Sequence, residues 1–330
     1  MATRYQAEIA RIDRSFFLAR GFFNEMPKGK PGESKVIQRG LESGKTLEIS
    51  RPVNLGAFHL LLLEALVAEA QYEETLREAA EKRKRGSRKE KKDQDRTPGK
   101  ESLLVNLSYY KLAACMGFRR STPFRQQANL ALSDLSGTTL IFHDADGKEL
   151  ESCNLLSVVK SGSESGEPVL RLSLCPFLAS PDANSSAWIN MEEARRLKRK
   201  SAVLLHGWLS TRIIPCRQMT VSISDLLEGV IWPESPARKT SSERTRKHVL
   251  LNKILPDLVN AGWKADFDAA RERIRFKRAP LPEEAHCAMA AEKCSYRVFW
   301  SEEDGGYLAV CNQFPSLSIP TSSRHGLWMG

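Results

Sequence analysis

Residues 240–278 read TSSERTRKHVLLNKILPDLVNAGWKADFDAARERIRFKR, and their order decides the fold. Ser241 or Ser242 can cap a helix, because a serine hydroxyl accepts from the free N–H groups of a first turn. Apolar residues then recur at helical spacing, which puts Leu251, Ile254, Leu255 and Leu258 on the packed side, and Gly262 ends the run. Pro256 lies inside the run and should kink it, since it cannot bond back to the carbonyl of Asn252. The period then changes to two. WKADF, a turn at DAARE and RIRFKR form a hairpin, with Arg273, Arg275 and Lys277 on one face and Ile274 and Phe276 on the other.

Two helices precede this unit. INMEEARRLKRKSAVLLHGWLSTRII (189–214) reads as one long amphipathic helix, and SISDLLEGVIW (222–232) as a short one, with Ser222 and Asp225 spaced as a cap and its third residue. Three helices and a hairpin are the layout of a winged helix. The same order occurs earlier in the chain. NLGAFHLLLLEALVAEA (54–70) reads as a buried helix. SYYKLAACMG (108–117) is a second, with Ser108 as cap and Gly117 just past its end. STPFRQQANLALSDLSG (121–137) is a third, capped by Thr122 with Pro123 in its first turn, and with Phe124, Ala128, Leu132 and Leu135 as its apolar stripe. TTLIFHD, a turn at ADGK, ELESCNLLSVVKS and VLRLSLCPF follow as strands. The expected fold class is α+β, with two tandem winged-helix domains and a short C-terminal β-hairpin tail. The expected boundaries are 1–33 for an N-terminal segment, 34–180 and 181–280 for the two domains, and 281–330 for the tail. Residues 77–100 are expected to form a charged loop inside the first domain.

Charge points to a polyanionic partner. The 330 residues hold 50 Lys and Arg against 40 Asp and Glu, a net of +10. Each phosphate contact releases condensed counterions, so a basic surface favours nucleic acid. The excess is local. Residues 238–278 hold 12 basic and 5 acidic residues, net +7, and residues 77–100 hold 11 and 5, net +6, whereas the tail 281–330 is net −3.

A recognition helix packs one face and offers the other to base edges. In the second domain Arg238, Lys239, Ser242, Arg244, Thr245, Arg246, Lys247 and Lys253 are the candidate DNA-contacting residues of the helix, and Arg273, Arg275 and Lys277 those of the wing. Val249 and Asn252 are expected on the same outward face. Arg pairs bidentately with guanine, and Asn and Gln suit adenine. In the first domain Arg119, Arg120, Arg125, Gln126 and Asn129 form the equivalent set, although a first winged helix can instead serve dimerisation.

Other chemistries find no support. GLESGKT (40–46) is one residue short of a phosphate-binding loop, and a strand rather than a helix follows, so a hairpin turn is the better reading. Histidines at 59, 143, 206, 248, 286 and 325 lack metal-ligand spacing. The pair Tyr109–Tyr110 suggests a nicking tyrosine only beside a histidine–metal cluster, and helix packing suits it better. The acidic pair Glu192–Glu193 fits a helix start, where it favours the dipole. No catalytic residue, metal or cofactor is expected. Cysteines at 115, 153, 175, 216, 287, 294 and 311 form no CxxC pair, which fits reduced, buried thiols. Charged residues precede any apolar run at the N-terminus, and the run Leu60–Ala68, broken by Glu64, falls well short of the ~20 residues that cross a bilayer. A soluble cytoplasmic protein is expected.

An ordered set of segments resembles one family. LARGFF (18–23), SGKTLEIS (43–50), NLGAFHLLLLEALVAEA and SYYKLAACMG, then INMEEARRL (189–197), SAVLLHGWL (201–209), SISDLLEGVIWPES (222–235) and LPDLVNAGW (255–263), are similar to the RepC replication initiators of IncQ plasmids. The resemblance covers roughly 16–280. It implies a bacterial, non-enzymatic initiator that binds double-stranded iterons at a plasmid origin. Such an initiator helps open an adjacent AT-rich segment and recruits the plasmid helicase and primase, and the resemblance leaves a homodimer open. A winged-helix transcription regulator is the alternative, and a rolling-circle nickase the weaker one. The 77–100 segment is more charged than the family pattern. The tail is extra, and YRVFWSEEDGGYLAVCNQFPSLS (296–318) resembles the start of HicB-type antitoxins.

Overall fold

The computed structural model describes residues 9–14, 22–23, 35–40, 46–51, 55–85, 103–163, 168–178, 186–231, 241–281, 296–301, 306–311 and 314–321, some of them by backbone alone. The chain divides into two compact units, Met1–Ala279 and Pro280–Gly330.

The first unit is built on a long helix, α1 (Ala57–Arg85). Every residue from Leu60 to Ala70 is buried, as a helix apolar on all sides must be. Glu64 lies in the middle of that run, and burial pushes its carboxyl well above the ordinary value. The imidazole Nδ1 of His59 accepts the N–H of Gly56 at the helix start and its Nε2 bonds Asp134, 3.0 Å each. The helix continues to Arg85, so the first part of the segment expected as a charged loop is helical; residues 86–100 lie outside the described residues.

Sheets flank α1. Strands β1 (Ile9–Asp13), β2 (Lys35–Gly40), β3 (Thr46–Arg51), β4 (Leu103–Ser108), β5 (Thr139–His143), β6 (Glu149–Asn154), β7 (Leu156–Ser163), β8 (Pro168–Leu174) and β9 (Ser186–Asn190) form three antiparallel sheets: β2-β3-β5-β6, β4-β8-β7 and β1-β9. Gly40 pairs with Thr46, so the near-miss phosphate loop closes a hairpin. Between β4 and β5 lie α2 (Tyr109–Cys115) and α3 (Thr122–Ser136). Ser108 caps α2 as expected, accepting from the N–H of Lys111. Helix α3 is capped by Ser121, one residue before the expected Thr122, because the Ser121 hydroxyl accepts from Phe124 N. Its stripe of Phe124, Ala128, Leu132 and Leu135 is buried, and Ala131 joins it. Gly117 takes φ +75, which ends α2, and a side chain there would meet Cβ of Arg195 at 3.0 Å.

The expected long helix over 189–214 is two helices. After strand β9, α4 (Met191–Arg196) ends and α5 (Lys200–Arg212) begins. A carboxylate distant in sequence makes the break: Asp257 accepts the N–H groups of Lys198 and Arg199, at 2.9 Å each. Helix α5 is not amphipathic either. Val203 and Leu204 join the core around α1, whereas Ala202, Leu205, Leu209 and Ile213 join a second core. It is buried from Ser201 to Gly207 because it separates the two.

The second core is closed by β10 (Gln218–Ser222), α6 (Ile223–Leu226) with a wide turn over Leu227–Ile231, α7 (Ser241–Val249), α8 (Leu255–Ala261), β11 (Lys264–Asp268) and β12 (Arg273–Lys277). Ser222 caps α6 by accepting from Asp225 N. A π-type turn, Leu250–Ile254, joins α7 to α8, and Leu255 N–H reaches back to the carbonyl of Leu250. The proline expected to kink the helix thus follows a widened turn. Leu250 is buried there, Leu251 packs half-buried against the same core, and so does Val249, expected outward. Gly262 ends α8 at φ +121, a conformation that side-chain-bearing residues rarely adopt.

The second unit is a meander of β13 (Tyr296–Ser301), β14 (Gly306–Cys311) and β15 (Phe314–Thr321). The third strand extends the expected hairpin.

Candidate nucleic-acid interface

Strand β12 is the middle of the three-stranded sheet β10-β12-β11. Ile274 and Phe276 are fully buried, so the alternation of a strand turns Arg273, Arg275 and Lys277 outward, and all three are exposed. The sequence does not show their neighbours. Arg273 stands opposite Ser222 and Asp268, Arg275 opposite Thr220 and Asp266, and Lys277 opposite Gln218 and Lys264. Residues directly opposite on antiparallel strands share a face. The basic stripe is therefore offset by Asp266 and Asp268 at one end and reinforced by Lys264 at the other. Strand β10 was missed as a strand, although Gln218, Met219, Thr220 and Val221 alternate outward and inward.

The helix residues divide. Thr245 and Lys253 are exposed, and Arg246 and Lys247 are half-buried. Lys247 Nζ donates to a carboxylate oxygen of Glu272, in the β11–β12 turn. Glu272 sits at φ 50, and its carbonyl accepts the N–H of Ile223, 3.0 Å away, at the start of α6. One turn residue thus holds the last turn of α7 and the first residue of α6. Asn252 Nδ2 donates to the carbonyl of His248 at 3.0 Å, so part of its bonding capacity is spent within the helix. Ser242 and Arg244 lie on α7, but their side chains, and Arg238 and Lys239 entirely, are outside the described residues.

Arg119, Arg120, Arg125, Gln126 and Asn129 are exposed, on α3 and on the turn that leads to it from α2. Tyr109, at the first position of α2, reaches two of them. Its hydroxyl donates to Oδ1 of Asn129, and the Arg125 guanidinium lies over its ring, 5.0 Å from the centroid. Burial raises the phenol above its ordinary value, outweighing Arg125 and Asn129, which lower it.

A buried polar cluster fixes the ground beneath the second sheet. Glu193 lies in the first turn of α4, as expected, and is buried there. Its carboxylate accepts from Trp263 Nε1 at 3.0 Å, His206 Nε2 at 3.2 Å and Asn190 Nδ2 at 3.2 Å. Burial pushes the Glu193 carboxyl up, but the bond and charge of His206, the charge of Arg278 and the Trp263 bond together hold it below the ordinary value. Arg278, the residue after β12, is buried and donates to the carbonyls of Ser210 at 3.3 Å, Ile213 at 3.0 Å and Trp188. Burial lowers its pKa to about 10. Among the described residues no group of three His, Cys, Asp or Glu could hold a metal ion, and no helix is long and apolar enough to cross a membrane.

A family model described as Replication protein C (RepC) matches residues 4–278. The chain belongs to the RepC family. The match takes in both cores and stops one residue before the end of the first unit, so the three-stranded tail lies beyond it. No curated protein matches the chain. Among solved structures, domains 2 and 3 of RctB are similar at TM-score 0.44 and 10% identity, over 77% of this chain and 94% of that one. The Pi initiator protein in complex with iteron DNA is similar at TM-score 0.37 and 14% identity, over 52% of this chain and 79% of that one.

Proposed function

We propose that this RepC-family chain initiates plasmid replication by binding double-stranded iterons at the origin, through two winged-helix domains at about 34–180 and 181–280. The observation that carries the reading is the second core. A helix with exposed Thr245 and Lys253 adjoins a hairpin strand with exposed Arg273, Arg275 and Lys277, and one turn residue ties the two. A winged helix uses such a pair, with the helix in the major groove and the wing on phosphate or in the minor groove. In this reading Ser242, Arg244, Thr245, Arg246, Lys247 and Lys253 serve the groove, Arg238 and Lys239 approach it, and the wing residues anchor. Arg119, Arg120, Arg125, Gln126 and Asn129 form the contact set of the first domain, supported by α2, a turn, α3 and the β5–β6 hairpin in that order. Binding then promotes opening of an AT-rich segment and recruits the plasmid helicase and primase, without strand cleavage. The tail 281–330 is a HicB-like addition with no part in origin binding.

The test is footprinting on supercoiled origin DNA, with magnesium and without ATP. Protection of tandem direct repeats on unbroken plasmid is expected. A nicked product, or no protected repeat, would overturn the proposal.

A further inference from the structure

We propose that Tyr109 is a positioning residue of a base-reading ridge built from α2 and α3, in which it holds Asn129 for adenine and Arg125 for a neighbouring guanine. The inference rests on the origin-binding reading and deepens it. Two features converge on one side chain. Arg125 and Asn129 are four residues apart on α3, so they share one exposed face. The Tyr109 ring lies beneath the Arg125 guanidinium and its hydroxyl bonds the Asn129 carbonyl oxygen, so a single rigid group from the preceding helix restrains both.

The chemistry of the amide defines the readout. Free in solvent, an Asn side chain rotates and presents its oxygen and nitrogen in either order. A hydroxyl donating to Oδ1 fixes which end is oxygen and uses one of its two lone pairs. The other lone pair and the Nδ2 hydrogens remain for the adenine edge, which offers one donor and one acceptor. Stacking beneath Arg125 likewise restricts a long, flexible side chain, so less rotamer freedom is lost when it meets a base. Tyr109 touches no base in this arrangement. It acts through Asn129 and Arg125, and its hydroxyl is engaged with Asn129 rather than free to attack a phosphate.

The experiment measures affinity for a duplex carrying one direct repeat from the plasmid's own origin, for the full set of single-base-pair variants of that repeat, and for a scrambled duplex. Wild type, Tyr109→Phe, Tyr109→Leu, Asn129→Ala and the double variant Tyr109→Phe/Asn129→Ala are compared, with circular dichroism to establish that each is folded. Tyr109→Phe keeps the ring and loses only the hydroxyl. It is expected to lower the preference of repeat over scrambled duplex by roughly threefold to tenfold, the worth of one hydrogen bond. The loss should concentrate at the base pair where Asn129→Ala also flattens discrimination, and the double variant should lose no more than Asn129→Ala alone. Tyr109→Leu should flatten a second, adjacent position through Arg125. If every variant kept the wild-type preference, or weakened binding equally on both duplexes, the ridge would be overturned while origin binding stood. If wild type itself did not prefer the repeat, the origin-binding reading would fail first.

Discussion

The ammonium of Lys247 is bonded to the carboxylate of Glu272, which ties the basic helix α7 to the turn of its own hairpin. The side chains are 32% and 65% exposed, so the pair is open to solvent and each partner is reachable by a phosphate. Exposed ion pairs are weak, on the order of 0–1 kcal/mol, so a phosphate can displace the carboxylate without large cost. On the origin-binding reading, Glu272 competes with DNA for Lys247.

Glu272→Gln should release Lys247 and remove one like charge from the approaching backbone. Affinity for repeat and scrambled duplexes alike is expected to rise by about threefold to tenfold at low salt, and the slope of log K against log salt to steepen by about 0.9, the value of one added phosphate contact. Anisotropy titrations at several salt concentrations measure both. A loss of affinity would mean that the carboxylate positions Lys247 instead of competing for it.

Asp257 shapes the chain at a distance. Its single oxygen Oδ2 takes the N–H groups of both Lys198 and Arg199, in the gap between α4 and α5. Asp257→Ala leaves two partly buried donors without an acceptor and should cost roughly 2–4 kcal/mol in urea unfolding. Asp257→Asn retains an oxygen at the same place and should cost less than half as much. Equal costs for the two variants would show that the charge, and not the acceptor, holds the break.

Glu193 makes stability depend on pH with a defined sign. Its folded carboxyl is held below the ordinary value, so the unfolded chain binds a proton first as pH falls. The ionised group contributes in full above the unfolded value, about 4.3, and the contribution is lost as pH drops through that value toward the lower folded one. Thermal melts of the chain and of Glu193→Gln from pH 7 to pH 3 check this. The variant should be less stable by roughly 2–3 kcal/mol near neutrality, with the gap closing below pH 4. A gap that stayed constant with pH would place the effect in packing rather than in charge.

What could be read from the sequence was local. RIRFK alternates because a strand in a half-buried sheet alternates, Ser222 and Ser108 cap because hydroxyls meet free N–H groups, and Gly117 and Gly262 end helices at positive φ. What could not be read was set by partners far along the chain. The break after Arg196 depends on a carboxylate about sixty residues on. The widened turn Leu250–Ile254 has no mark in the sequence; within it Leu250 is fully buried and Leu251 packs half-buried against the same core. For the candidate interface, exposure of the wing residues followed from alternation. Lys264, Asp266 and Asp268 became visible as neighbours of those residues only once strand register was known.

The central claim is sequence-specific origin binding led by the helix of the second core. Affinity of wild type, Arg246→Ala and Arg275→Ala for one origin repeat and for a scrambled duplex, over a range of salt, tests it most directly. The account predicts that wild type prefers the repeat by on the order of 10³-fold or more. Arg246→Ala should erode that preference, because a base-reading arginine carries ~1–3 kcal/mol of discrimination, whereas Arg275→Ala should weaken both duplexes alike. A wild-type chain that bound the two duplexes equally would contradict the account.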